Sequence, residues 1–223
     1  MPVANAAMGK FLETSIFSMK KRAPLILISV LWLSLVAAGI SVLGNYGNTP
    51  GKAAAAPNDW PAGSKLQRET GDMTLVMIAH PRCPCTRATL GELARLMAKA
   101  QGRLKTYVLF IRPEGSPVDW EKTDLWAAAA AIPGTTVMVD DKGKEAENFQ
   151  TATSGQNLLY GTDGKLLFSG GITSSRGHEG DNAGRDTIIS ILNGEQPAQN
   201  ETPVYGCPIF APDKERQKIE SAR

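Results

Sequence analysis

The chain has 223 residues, 42% of them hydrophobic and 21% charged, which suits one folded domain with additions and excludes a disordered, charge-dominated polymer. A formal net charge of +2 excludes the strongly basic surface that nucleic-acid binding needs. The charge is unevenly placed: residues 1–22 carry Lys10, Lys20, Lys21 and Arg22 against Glu13, whereas the part after residue 43 holds slightly more acidic than basic side chains.

Between these parts lies APLILISVLWLSLVAAGISVL, residues 23–43, without a charge. At 1.5 Å per residue a helix of this length spans roughly the 30 Å of bilayer hydrocarbon. Its serines can bond back to their own helix, so they do not forbid insertion. A buried soluble helix this long would ordinarily keep a polar face. The more serious rival is a cleaved signal peptide, whose apolar region is about 7–15 residues with a small-residue cleavage site close behind. Here the alanine run at 53–56 comes late. The segment therefore predicts an uncleaved single-pass anchor in membrane lipid. The cations at 20–22 abut its N-terminal side, and beyond it stand only Lys52 and Lys65 against Asp59. The positive-inside rule then puts residues 1–22 in the cytoplasm and everything after residue 43 outside it, which in a Gram-negative bacterium means an inner-membrane protein with a periplasmic domain.

Residues 44–68, rich in Gly, Ala, Pro and Asn and free of apolar periodicity, read as a flexible linker. The folded domain is expected over 69–194, followed by a polar tail, 195–223, with one apolar island around Cys207. Within the domain, TLVMIA at 74–79 is a short continuous apolar run, as a strand buried on both faces should be. A helix follows, with Leu90, Leu93, Ala94, Met97 and Ala100 on its buried stripe. TYVLFI at 106–111 is the next buried strand. An alanine-rich helix is predicted over 124–131, a strand over 135–139 and a brief helix over 145–149. Strands at 157–160 and 165–168 are joined by Gly-Thr-Asp-Gly, a hairpin signal. A glycine-rich loop, 170–184, leads to a last helix over 186–193, with Gly194 at its C-terminal cap. Strands alternating with helices and closing on a hairpin imply an α/β domain with a mixed sheet.

Cys83, Cys85 and Cys207 are the three cysteines, an odd number in a compartment expected to permit disulfides. Cys83 stands between a strand and a helix N-terminus, where the first N–H groups and the helix dipole favour a thiolate, the attacking species of disulfide exchange. Pro84 suits the first helical turn because it has no N–H to leave unsatisfied. Arg82 either favours that thiolate further or points to solvent.

Two segments carry a resemblance: TLVMIAHPRCPCTRATLGELARLM at 74–97, and TTVMVDDKGKEAENFQTATSGQNLLYGTDGKLLFSGG at 135–171. They resemble the thioredoxin-like superfamily, and within it the membrane-anchored TlpA-like and RedB-type bacterial proteins. The resemblance implies a thioredoxin-like fold and thiol–disulfide oxidoreductase activity with a protein thiol or disulfide partner and no cofactor. A thiol-peroxidase reaction is a variant. By the same resemblance Cys83 aligns with the attacking cysteine, Thr86 with the usual second cysteine, and Gly155 with a proline facing the pair. Thr153, Ser154, Gly155 and Gln156 then line the substrate groove, and His80, Pro81, Arg82, Pro84 and Thr86 shape the redox turn.

The chain departs from the family in its Cys-x-Cys spacing, so Cys85 is the nearest resolving thiol, with Cys207 as the other choice. A soft-metal site from Cys83, Cys85 and His80, with His178 as a further donor, is the alternative chemistry, and a non-catalytic protein-binding module is the third reading. In the long loop, His178 is a candidate base for Cys83, with Glu179 and Asp181 as partner contacts. Trp120 and Trp126 are expected in core or rim packing.

Overall fold

The computed structural model describes residues 3–52, 55–68 and 71–210, with side chains from Arg22 onward. Residues 53–54 of the linker, 69–70 at the expected domain start and 211–223 of the tail lie outside the described residues, as do the side chains of the predicted cytoplasmic flank. The chain divides into two units, with the boundary between Tyr46 and Gly47.

The first unit consists of helix α1, Val3–Asn48, up to Tyr46. Its stretch Arg22–Asn48 is long and apolar enough to cross a membrane, with none of the window buried. Ser34 and Ser41 donate their hydroxyls to the carbonyls of Val30 and Ala37, each at 2.8 Å, so neither presents an unsatisfied hydroxyl.

The second unit is built on a five-stranded sheet of order β3-β2-β1-β4-β5. Strand β1 (Met73–Ala79) pairs parallel with β2 (Leu104–Arg112), which pairs parallel with β3 (Thr135–Asp141). Strands β4 (Gln156–Tyr160) and β5 (Leu166–Gly171) form the hairpin, and β4 runs antiparallel to β1. The connecting helices are α2 (Pro84–Ala100), α3 (Asp124–Ala130), α4 (Lys144–Asn148) and α5 (Ala183–Leu192). Leu75, Met77 and Ala79 point to a core with α2, α3 and α5. Val76 and Ile78 point to the other face, with Ala146 of α4, Phe149 and Ile209. Both faces are covered, which is why the sequence of β1 is apolar without alternation.

Helix α2 buries Leu90, Leu93, Met97 and Ala100 of the expected stripe, but Ala94 is exposed, and Leu96 and Glu92 take the inner face instead. Strand β5 reaches Gly171, because Gly170 and Gly171 pair with Asn157 and Gln156 and so belong to the sheet rather than to the loop. Helix α5 starts at Ala183 because the Asn182 side chain caps it, accepting the Arg185 N–H at 2.8 Å. Residues read as linker also join the second unit. Trp60 packs edge-on to Phe149 and Tyr160, each at 5.2 Å, and Leu66 is buried.

Candidate redox site

Cys83 is the N-cap of α2, in extended conformation, with Pro84 opening the helix. It is 1% exposed. Burial pushes its thiol pKa up, but the Cys207 thiol and the N–H groups of Thr86, Cys207 and Cys85 outweigh this and hold it below the ordinary value. The Cys207 sulfur lies 2.9 Å from that of Cys83, across 124 residues of sequence. All three cysteines are free thiols.

Cys207 is shifted the opposite way. Burial, its hydrogen bond to Cys83 and the charges of Cys83 and Cys85 push it up to about 12, against a weaker pull from Arg176. Cys85 is also raised, by burial and by the Cys83 charge, against Arg176 and the Gly177 N–H. The neighbourhood thus treats three chemically identical groups unequally: the Cys83 thiol is shifted toward ionisation, and the Cys85 and Cys207 thiols are shifted away from it.

Backbone pairing places Cys207. Ser154 donates its N–H to the Cys207 carbonyl at 2.8 Å, Ile209 donates to the Ala152 carbonyl at 2.9 Å, and Thr153 faces Pro208 in an antiparallel bridge. The tail island is therefore a short strand laid along residues 152–154. That loop is itself tied to the redox turn. The His80 N–H donates to Ser154 Oγ (2.9 Å), Ser154 Oγ meets Thr86 Oγ1 (2.9 Å), and Thr86 Oγ1 donates to the His80 carbonyl (3.0 Å). Gly155 donates its N–H to the Ile78 carbonyl at 2.7 Å, with φ at +87° and a Cβ position only 3.1 Å from Thr89 Oγ1, so glycine is required there. The Gln156 amide donates to Ser169 Oγ at 3.3 Å, facing the hairpin rather than the thiols.

The remaining predicted residues support the turn. The ring of His80 stands edge-on to Trp120 at 5.5 Å, and its Nδ1 accepts the Arg82 N–H. Burial and then the Arg82 charge lower its pKa. The Arg82 guanidinium lies over the Trp120 ring at 4.9 Å. The Pro81 carbonyl accepts the Thr123 hydroxyl. Trp126 packs against Phe110 at 5.4 Å, on the core side. Among the described residues no group of three His, Cys, Asp or Glu side chains is placed to hold a metal ion, His80 with Cys83 and Cys85 included.

The glycine-rich loop reaches the site through different residues from those its sequence suggested. Arg176 Nη1 donates to the Gly206 carbonyl at 2.6 Å, beside Cys207, and its Nε donates to the Thr49 carbonyl at 3.2 Å. The Gly177 N–H meets Cys85. The His178 N–H donates to Ser175 within the loop's own turn, and Glu179 pairs with Arg95. Asp181 lies 3.5 Å from Arg185.

A buried carboxylate, Glu92, ties the loop to α2. It accepts the Gly180 N–H at 2.8 Å, the Asn182 amide at 3.1 Å and the buried Arg185 guanidinium. Its visible signal was a carboxylate between Leu90 and Leu93 on an apolar stripe.

No protein-family model and no curated protein matches the chain. Solved structures do. A hypothetical protein from Sinorhizobium meliloti aligns over 72% of this chain and 93% of its own, at 20% identity and a TM-score of 0.54. An uncharacterized conserved protein from Geobacillus kaustophilus aligns over 74% and 93%, at 19% identity and a TM-score of 0.55. A secreted Mycobacterium tuberculosis disulfide oxidoreductase homologous to E. coli DsbE aligns over 56% and 82%, at 14% identity and a TM-score of 0.39. In this domain a parallel β1-α2-β2 unit shares one sheet with an antiparallel β4-β5 hairpin followed by α5. The fold is thioredoxin-like. Strand β3, which follows α3 in the chain, extends the sheet beyond β2, and α4 leads from it to the hairpin.

Proposed function

We propose that the chain is a membrane-anchored thiol–disulfide oxidoreductase in which Cys83 attacks and Cys207 resolves. Residues 23–43 are its lipid anchor, the N-terminus is cytoplasmic, and the domain works outside the cytoplasm on a thiol or disulfide partner. One observation carries the redox reading: two sulfurs from distant parts of the sequence lie 2.9 Å apart, one favoured as thiolate and the other held as thiol.

The chemistry is a pair of exchanges. The Cys83 thiolate attacks one sulfur of a disulfide, forms a mixed disulfide and expels the other sulfur as a thiolate, which takes up a proton. Cys207 then loses its proton, attacks the Cys83 sulfur and expels the second half of the substrate. The substrate disulfide is reduced to two thiols, and Cys83 and Cys207 are oxidised to one disulfide. An external dithiol reverses the sequence. Geometry favours Cys207 over Cys85 as resolver. A Cys83–Cys85 bond would close a strained ring over Pro84, whereas the Cys83 and Cys207 sulfurs already touch, the tail being paired with the 152–154 loop and that loop bonded to the redox turn.

Stoichiometry with a symmetric aromatic disulfide tests this. The reduced full chain releases both aromatic thiols. Cys207→Ser releases one and retains the other as a mixed disulfide, Cys83→Ser releases neither through this site, and Cys85→Ser behaves as the parent. Retention of half the substrate in Cys85→Ser instead would reassign the resolving thiol.

A further inference from the structure

The tail strand sets Cys207 directly against the buried Cys83 sulfur. We propose that residues 203–210 are a displaceable, autoinhibitory strand that withholds Cys83 while docked and exposes it on lifting off. This rests on the redox reading of the same site.

Exchange requires a disulfide to approach the Cys83 sulfur in line. Cys83 is buried, and the Cys207 sulfur stands 2.9 Å from its own. An incoming sulfur and the Cys207 sulfur cannot both hold that contact. The docked strand is held by specific contacts rather than by bulk. Val204 and Ile209 are its buried apolar anchors. The Val204 carbonyl accepts the Gly51 N–H at 2.8 Å, and Ser154 and Ala152 bond it on the other side. Arg176 clamps the Gly206 carbonyl.

Gly206 has no clearance. A Cβ there would stand 1.8 Å from the Ser154 carbonyl oxygen and 3.3 Å from Thr153 Cγ2. The neighbour is backbone, and Ser154 is pinned by its bonds to His80 and Thr86, so it cannot give way. The groove is thus cut to the Gly-Cys step of this chain's own tail. A foreign strand seated in the same register with any side chain before its cysteine would meet the same carbonyl. A short segment with two apolar anchors belongs to the part of a fold that opens locally well before global unfolding. The catalytic cycle follows: the strand lifts, Cys83 attacks, and redocking brings Cys207 onto the mixed disulfide.

The test is the iodoacetamide alkylation rate of each cysteine in the reduced full chain in detergent, resolved by peptide mass spectrometry. Gly206→Ala and Arg176→Gln weaken docking through different contacts, one steric and one hydrogen-bonded. Each is expected to speed alkylation of Cys83 by about tenfold or more. Circular dichroism and the unfolding midpoint verify that the domain remains folded. If Gly206→Ala does not fold, Arg176→Gln decides alone. Cys83 alkylation unchanged in folded variants would overturn the gate. That result is separable from failure of the redox reading: an unchanged rate with an intact Cys83–Cys207 disulfide removes only the gate, whereas accelerated alkylation without that disulfide removes only the redox pair.

Discussion

At the scale of single residues, the site depends on unequal treatment of like groups. Cys83 sits at a helix N-terminus with N–H donors around its sulfur, and Cys207 presses a thiol against it. Reactivity should therefore separate with pH. In the reduced, docked chain the ultraviolet absorbance of thiolate should rise in separate steps, the first below the ordinary thiol value of about 8.5 and missing in Cys83→Ser, the Cys207 step well above that value. A pH titration of that absorbance checks this, and coincident midpoints would contradict it. Stability follows the same directions. Cys207 is half-buried and shifted toward the neutral thiol, so the unfolded chain ionises first. The stability that Cys207 contributes is complete below the unfolded thiol value and falls as pH rises from there toward about 12. Cys207→Ser should flatten that alkaline decline in the unfolding midpoint of the reduced chain. Cys83 and its helix were legible in the sequence because strand, cysteine, proline and helix are local signals. The 2.9 Å contact was not, because 124 residues separate its partners and spacing arguments see only neighbours. Cys85 looked like the resolver for the same reason.

At the scale of elements, the redox turn, the 152–155 loop and the tail strand are joined by backbone bonds and by the Ser154–Thr86 hydroxyl pair. Gly155→Ala should cost about 1–2 kcal/mol, because it imposes a left-handed conformation on a residue with a Cβ and presses Thr89. Denaturant unfolding reads it, and no loss of midpoint would show that the loop relaxes freely. The Glu92–Arg185 pair is buried, so Glu92→Gln removes the nearest countercharge of a guanidinium that keeps only Asp181 at 3.5 Å and Asp186 at 3.6 Å, at about 1.5–3 kcal/mol. Replacing both residues with apolar ones of similar size should recover much of that loss. The strand order was not written in any one segment. It follows from apolar runs buried on both faces combined with a hairpin, and those were readable. What periodicity misjudged was at the margins: Ala94 on the stripe, Gly170 and Gly171 in the loop, and the start of α5. Strand pairing overrode local pattern at the two glycines and a side-chain cap did so at α5, whereas Ala94 simply faces outward on α2.

At the scale of the whole chain, an apolar helix and a compact domain are separate units that the composition already distinguished. If residues 23–43 anchor the protein, the full chain should float with lipid vesicles after high-salt and alkaline washing. A charged pair placed mid-helix, Leu33→Arg with Leu35→Asp, should release it. Recovery of the unaltered chain in the soluble fraction would contradict the anchor. The linker reading over 44–68 did not show that Trp60 and Leu66 pack onto the domain, because isolated apolar residues in a Gly/Pro-rich stretch carry no period. The tail was read as polar with an apolar island, and that island is the part that completes the site.

The measurement that bears most directly on these relations is disulfide trapping across a graded series of thiol–disulfide redox buffers, using the full chain in detergent. Samples are quenched in acid and alkylated, and the cross-linked peptides are identified by mass spectrometry. The account predicts one reversible bond, Cys83–Cys207, that persists in Cys85→Ser and vanishes in Cys83→Ser. Three thiols that stay reduced in the oxidising buffers, or a bond confined to Cys83 and Cys85, would contradict it.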